Sequence, residues 1–145
     1  MDFSTLNFLA IGVSALSSFV LGGLWYSPLL FGKVWMKETG ITEEAVKNQN
    51  GAKVFGFAFI ASLIIAFNLA MFLGSTSTLK TGMFYGFLAG FGWVTMSFAI
   101  NDLFEQRSFK LFAINAGYHT TGITIMGAIL GAGIKKYEFW INHYD

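Results

Sequence analysis

Residues 111–134 read LFAINAGYHTTGITIMGAILGAGI, 24 positions without an Asp, Glu, Lys or Arg. A helix needs roughly 20 mostly apolar residues to cross a bilayer, and this stretch is long enough. Working outward, three more windows carry no charge: 3–32, 54–79 and 81–101. The nine basic and eight acidic residues of the 145-residue chain fall between and beyond these windows. A soluble domain spreads charge over nearly all of its surface, because that surface faces water. This chain does not, so an ordinary cytosolic enzyme is excluded. A β-barrel fails too, because barrel strands alternate apolar and polar residues over about ten positions. The fold class expected is all-α, an integral membrane four-helix bundle. It forms a single transmembrane domain over 1–145, with spans about 5–26, 54–73, 81–100 and 111–134.

Other totals narrow the function. A net charge of +1 offers no basic face for a phosphate backbone, so no nucleic-acid partner is expected. There is no cysteine, hence no disulfide framework, thiolate metal site or cysteine nucleophile. Met1-Asp2-Phe3 lacks the positive start of a secretory signal, and its apolar run is longer than a signal core, so it reads as a retained span. The expected location is a multi-pass protein of the bacterial inner (cell) membrane, in contact with membrane lipids.

Span one ends at Ser27-Pro28, because the residue before proline is pushed out of the helical region. Loop 27–53 carries Lys33, Lys37, Lys47 and Lys53, and the loop after span three carries Arg107 and Lys110. The opposite side has Lys80, Lys135 and Lys136. The larger count puts both long loops in the cytoplasm and both termini outside. Within loop 27–53, Thr42 is placed to cap a short helix at Glu43-Glu44. The segment before it, with Leu29, Leu30, Phe31, Val34, Trp35 and Met36 around Lys33 and Lys37, suits either the headgroup layer or a plain connector. Trp25, Tyr26 and Trp35 at one end, and Tyr137, Trp140 and Tyr144 at the other, are expected to anchor the two membrane interfaces.

Each span carries small residues four apart: Ala10, Ser14, Ser18, Gly22; then Ala58, Ser62, Ala66, Ala70, Gly74; then Gly82, Gly86, Gly90; then Ala116, Thr120, Thr124, Ala128, Ala132, with Gly127 and Gly131 alongside. Residues four apart share a helix face. In lipid, small residues let backbones approach and gain packing contacts. The rows predict a tight bundle, and they also suit a homo-oligomer interface.

Polar groups inside lipid are costly, so they mark where chemistry could live. The densest polar stretch, Asn101 to Lys110, leads into Asn115-Ala116-Gly117-Tyr118-His119. His119 lies nine residues past Lys110, roughly 13 Å along a helix at 1.5 Å per residue. Asn115 is one turn earlier on the same face. The candidate ligand-binding or relay residues are therefore Asp102, Glu105, Arg107, Asn115 and His119. His119 could relay a proton or ligand. Arg107 could hold an anionic group with Asn115 and His119 below it. Asp102, Glu105 and His119 lack the spacing of a metal-ligand motif, so no metal and no cofactor are expected. The blander alternatives are a neutral His119 bonded to a neighbouring helix, for example at Asn68, and a solvated Glu105–Arg107 pair.

Several pieces resemble one family in combination: Trp25-Tyr26-Ser27-Pro28, Phe31-Gly32-Lys33 with Trp35, Asn101-Asp102 with Phe104-Glu105-Gln106-Arg107-Ser108, and Asn115 to His119. The chain is similar over almost its whole length to the family catalogued as domain of unknown function 1761. That resemblance implies a small integral membrane protein with about four spans, and it implies no catalytic residue. The expected function is transport, or binding of a small molecule or ion, through a polar intramembrane site around His119. The alternatives are a membrane-embedded enzyme acting on a lipophilic substrate, and an accessory subunit without chemistry.

Overall fold

Each charge-free window becomes a helix whose start is fixed by a capping side chain. Asn7 Oδ1 accepts from the Ala10 amide at 2.9 Å, and Asn50 Oδ1 from Lys53 at 3.0 Å. Thr78 and Thr81 cap each other reciprocally. Ser108 Oγ accepts from Leu111 at 3.1 Å. Such caps satisfy amides that would otherwise lack partners at a helix N-terminus. The computed structural model describes residues 6–74 and 76–144, with side chains through Gly133. Thr5 and the side chains of Tyr137, Trp140 and Tyr144 therefore lie outside the described residues.

The elements in order are α1 (Phe8–Trp25), α2 (Gly32–Thr39), α3 (Glu43–Asn48), α4 (Gly51–Leu73), α5 (Leu79–Ala89), a π-helical turn (Gly90–Thr95), α6 (Met96–Phe104) and α7 (Phe109–Tyr144). No strand occurs among the described residues. Among the described residues three helices are long and apolar enough to cross a membrane: Phe8–Trp25, Gly51–Leu73 and the continuous rod Leu79–Phe104. α7 differs. Its Asn115, His119, Thr120, Thr121 and Thr124 make it more polar, and it runs on past Lys135-Lys136. It is also the helix that the others surround, packing against α1, α4 and the whole α5–π–α6 rod. A helix sheathed by protein can carry polar groups that a lipid-facing one cannot.

α5 and α7 run antiparallel, with their backbones in contact. A Cβ placed on Gly82 would fall on the Gly127 carbonyl, and one placed on Gly127 would fall on the Gly82 carbonyl. A Cβ on Gly131 would strike the Thr78 carbonyl, and one on Gly86 would sit 2.6 Å from the Ile123 oxygen. The obstacles are backbone atoms, which cannot swing aside. The glycine row of α5 is thus consumed inside the chain by Gly127 and Gly131 of α7.

The same row explains the π-helical turn, which the sequence reading missed. Gly82, Gly86 and Gly90 step by four, but the next buried residue facing α7 is Thr95, a step of five. A π turn inserts one residue into an α-helix, so it keeps Thr95 on the seam. Its hydroxyl lies 2.6 Å from that of Thr120 and 3.4 Å from the Ala116 carbonyl, to which it donates.

α1 packs antiparallel on another side of α7 through its own small row. Ala10, Ser14 and Ser18 are buried. Ser14 Oγ donates to the Met126 carbonyl at 3.5 Å, and Tyr118 Oη donates to the Ser18 carbonyl at 3.1 Å. From α4, Ala66 and Ala70 are buried, whereas Ala58 is exposed. The short helices match expectation where it was specific: Thr42 caps α3 by accepting from Ala45 at 3.1 Å. Loop 27–53 and the α6–α7 turn meet at one end of the bundle, where Ser108 Oγ donates to the Glu38 carboxylate.

The α6–α7 turn holds Gln106 at φ 55°, in the left-handed region. The Gln106 amide bonds Leu103 O at 3.3 Å and the Arg107 amide bonds Asp102 O at 2.9 Å, closing a Schellman motif. Replacing Gln106 by glycine should raise stability by about 1 kcal/mol, read as a higher midpoint in thermal unfolding in detergent. At the seam, Gly127→Ala should lower stability by about 1–3 kcal/mol, because the clash is with backbone. Gly12→Ala and Gly92→Ala, where a Cβ would meet nothing within 4 Å, should leave it unchanged or slightly raised.

Candidate functional site

The α1–α2 corner is built from Trp25-Tyr26-Ser27-Pro28. The Phe31 amide bonds the Trp25 carbonyl and the Gly32 amide bonds the Ser27 carbonyl, both at 3.0 Å. Gly32 is required at this point, since a Cβ there would collide with the Tyr26 and Ser27 carbonyls. The corner turns two aromatic rings onto α7. Trp25 Nε1 donates to the Ile114 carbonyl at 3.0 Å, over the notch left by Gly117. Tyr26 Oη donates to Asn115 Oδ1 at 3.2 Å. Tyr26 packs edge-on against both Trp35 of α2 and Tyr118 of α7, with centroids 5.6 and 5.2 Å apart. Trp25, Tyr26 and Trp35, expected as interface anchors, are thus half-buried members of one aromatic cluster.

One turn deeper, His119 stacks on Phe98 of α6 at 5.2 Å and meets the Tyr118 ring edge-on at 4.9 Å. Among the described residues it has no hydrogen-bond partner. Asn68 does not supply one, because its amide donates to the Ile64 carbonyl of its own helix at 2.8 Å. His119 instead borders a cavity of about 40 Å³ between α1, α4 and α7, together with Ser18, Ser62, Tyr118, Gly122 and Met126. Such a space holds on the order of two water molecules. On its other side, Phe98 lines an open outer groove of about 270 Å³ with Trp93, Val94, Ser97 and Asn101. Phe98 thus both lines that groove and stacks on His119.

The remaining candidate residues are spread along the approach to His119. Thr95 at the end of the π turn, and Phe98 and Asp102 of α6, are spaced three and four apart and so share one face of the rod. Asp102 Oδ2 is buried and has no hydrogen-bond partner. Glu105 and Arg107 flank the turn and pair with each other at 3.0 Å, both half exposed. Of the five candidates, only Glu105 and Arg107 share a hydrogen bond or ion pair; Asn115 is bonded by Tyr26. Among the described residues no three His, Cys, Asp or Glu are gathered as metal ligands. The sequence reading missed Ser18, Ser62, Phe98 and Tyr118. Ser18 and Ser62 stood in the small-residue rows as packing groups, and nothing local distinguished Phe98 from the other 16 phenylalanines.

Residues 9–131 match the family model described as Protein of unknown function (DUF1761). The chain belongs to the DUF1761 family. No curated protein and no solved structure matches it. The DUF1761 match spans the aromatic corner, the glycine seam and the cavity at His119, so all three lie inside the family's unit. Tyr26→Phe should weaken the corner by about 0.5–1.5 kcal/mol through loss of the bond to Asn115. Paired with Asn115→Ala in a double-mutant cycle of unfolding midpoints, it should show coupling, whereas Tyr85→Phe on the exposed face of α5 should not.

Proposed function

We propose that this protein is a four-span integral membrane protein that binds a small polar ligand at His119. α7 serves as the fourth, central span, both termini lie outside, and the home is the bacterial inner membrane. The observation that carries the reading is an imidazole with no protein partner beside a small cavity that mixes the polar groups of Ser18, Ser62 and Tyr118 with apolar ones such as Ile65 and Met126. A polar group without a hydrogen bond is costly in an apolar surrounding, so a half-buried histidine without a protein partner is the natural candidate for binding a ligand. The cavity of about 40 Å³ suits a ligand of water or small-ion size, far below the roughly 300–1,000 Å³ of a drug-sized site. Its small volume favours binding as the resting state. Transport needs an additional step, and displacement of Phe98 toward the outer groove is the short route.

Asn115 and Asp102 extend the same polar face toward the loop end, where Glu105 and Arg107 close it as an ion pair. An enzyme with a basic cofactor site is disfavoured, since Arg107 already has a partner.

The test is native mass spectrometry of the full chain released from lipid nanodiscs, with the unfolding midpoint measured alongside. The wild type should retain a small species that His119→Ala loses, with little change in midpoint. In proteoliposomes, Phe98→Ala should speed exchange of that species. Equal retention by His119→Ala, or a variant that only loses stability, contradicts the reading.

A further inference from the structure

α2 has two faces with different fates. Phe31 at its N-cap, then Trp35 and Glu38, face the rest of the chain: Phe31 packs tilted against Trp25 at 4.9 Å, Trp35 packs edge-on against Tyr26, and Glu38 accepts from Ser108. Leu30, Lys33, Val34 and Lys37 form the outward face, and all four are exposed. Among the described residues neither lysine is in an ion pair. The nearest carboxylate in sequence, Glu38, is on the inner face and engaged by Ser108. Leu29 beside them is 86 % exposed, as Phe104 and Phe109 at the same end of the bundle are 87 and 79 % exposed. Apolar side chains so exposed, level with unpaired lysines and at the mouth of apolar helices, match the chemistry of a bilayer's interfacial layer.

The geometry points to α2 as an interfacial helix that binds the phosphate of anionic phospholipids through Lys33 and Lys37. Leu29, Leu30 and Val34 sit among the upper acyl carbons, and the lysine stems run along them while the ammonium groups reach the headgroups. The opposite charge and the amphipathic order of this face select an anionic lipid over a zwitterionic one. The inner face fixes the helix to α7, so binding lipid costs little ordering. This inference depends on membrane insertion and is independent of the ligand at His119.

The experiment uses the full chain extracted from vesicles holding equal amounts of phosphatidylglycerol and phosphatidylcholine, with retained lipids counted by native mass spectrometry. The wild type should be enriched in phosphatidylglycerol. Lys33→Gln and Lys37→Gln should each lower the enrichment by about fivefold at low salt. Lys33→Arg/Lys37→Arg and Lys80→Gln, the latter at the opposite end, should preserve it. Equal retention of both lipids by the wild type, enrichment unchanged in a Lys33→Gln/Lys37→Gln double variant, or a lipid-free dimer on this face would overturn the proposal. Loss of the His119 species with intact lipid enrichment would count against the ligand site alone.

Discussion

The backbone-to-backbone seam between α5 and α7 is the constraint on which the rest of the structure depends. In lipid, helices gain little from the hydrophobic effect on associating, so close packing must hold them together. Here the gap left by each missing side chain is filled by the partner's carbonyl: Gly82 by Gly127, and Gly131 by Thr78. Reciprocal contacts of this kind allow one register. Sliding α5 by one residue would put Met83 or Thr81 where only glycine fits.

The register propagates. With Gly90 against Thr120, the chain reaches Thr95 only by adding a residue, and the π turn is where it does so. The extra residue carries Thr95 onto Thr120 and Phe98 onto His119. On the opposite side of α7, α1 is seated by Ala10, Ser14 and Ser18, and α4 joins through Ala66 and Ala70. Between α1, α4 and α7 remains the small cavity at His119. The candidate site is therefore a by-product of packing geometry to which serines from two helices, and a tyrosine and a histidine from the third, add polar groups.

What could be read from the sequence follows from how local the responsible physics is. Charge-free windows are local, and they placed α1, α4 and the α5–α6 rod to within about four residues, whereas α7 runs ten residues past its window to Tyr144; Thr42 likewise marked the start of α3. The small-residue rows are also local, and Gly82-x-x-x-Gly86-x-x-x-Gly90 was legible as a packing face. Its partner was not, because pairing rows between helices needs the three-dimensional register. The π turn escaped for a similar reason: a five-residue step shows only once Thr95 is known to face the same helix as Gly90. His119 stood out because a titratable group in an apolar window is conspicuous. Ser18, Ser62 and Phe98 are ordinary in their windows and become site residues only through contact. Glu105 and Arg107 were conspicuous for their charge, yet they meet each other at an exposed turn.

The chain contains no cysteine, so the seam can be tested by introducing a single pair. Thr95 and Thr120 carry hydroxyls 2.6 Å apart, and cysteines there would bring two sulfurs within reach of a bond of about 2.05 Å. Mild oxidation of the Thr95→Cys/Thr120→Cys double variant in membranes should give near-complete intramolecular disulfide, read as a monomer lacking two hydrogens and two free thiols. Persistently free thiols, or disulfide found only between chains, would contradict the register that builds the His119 site.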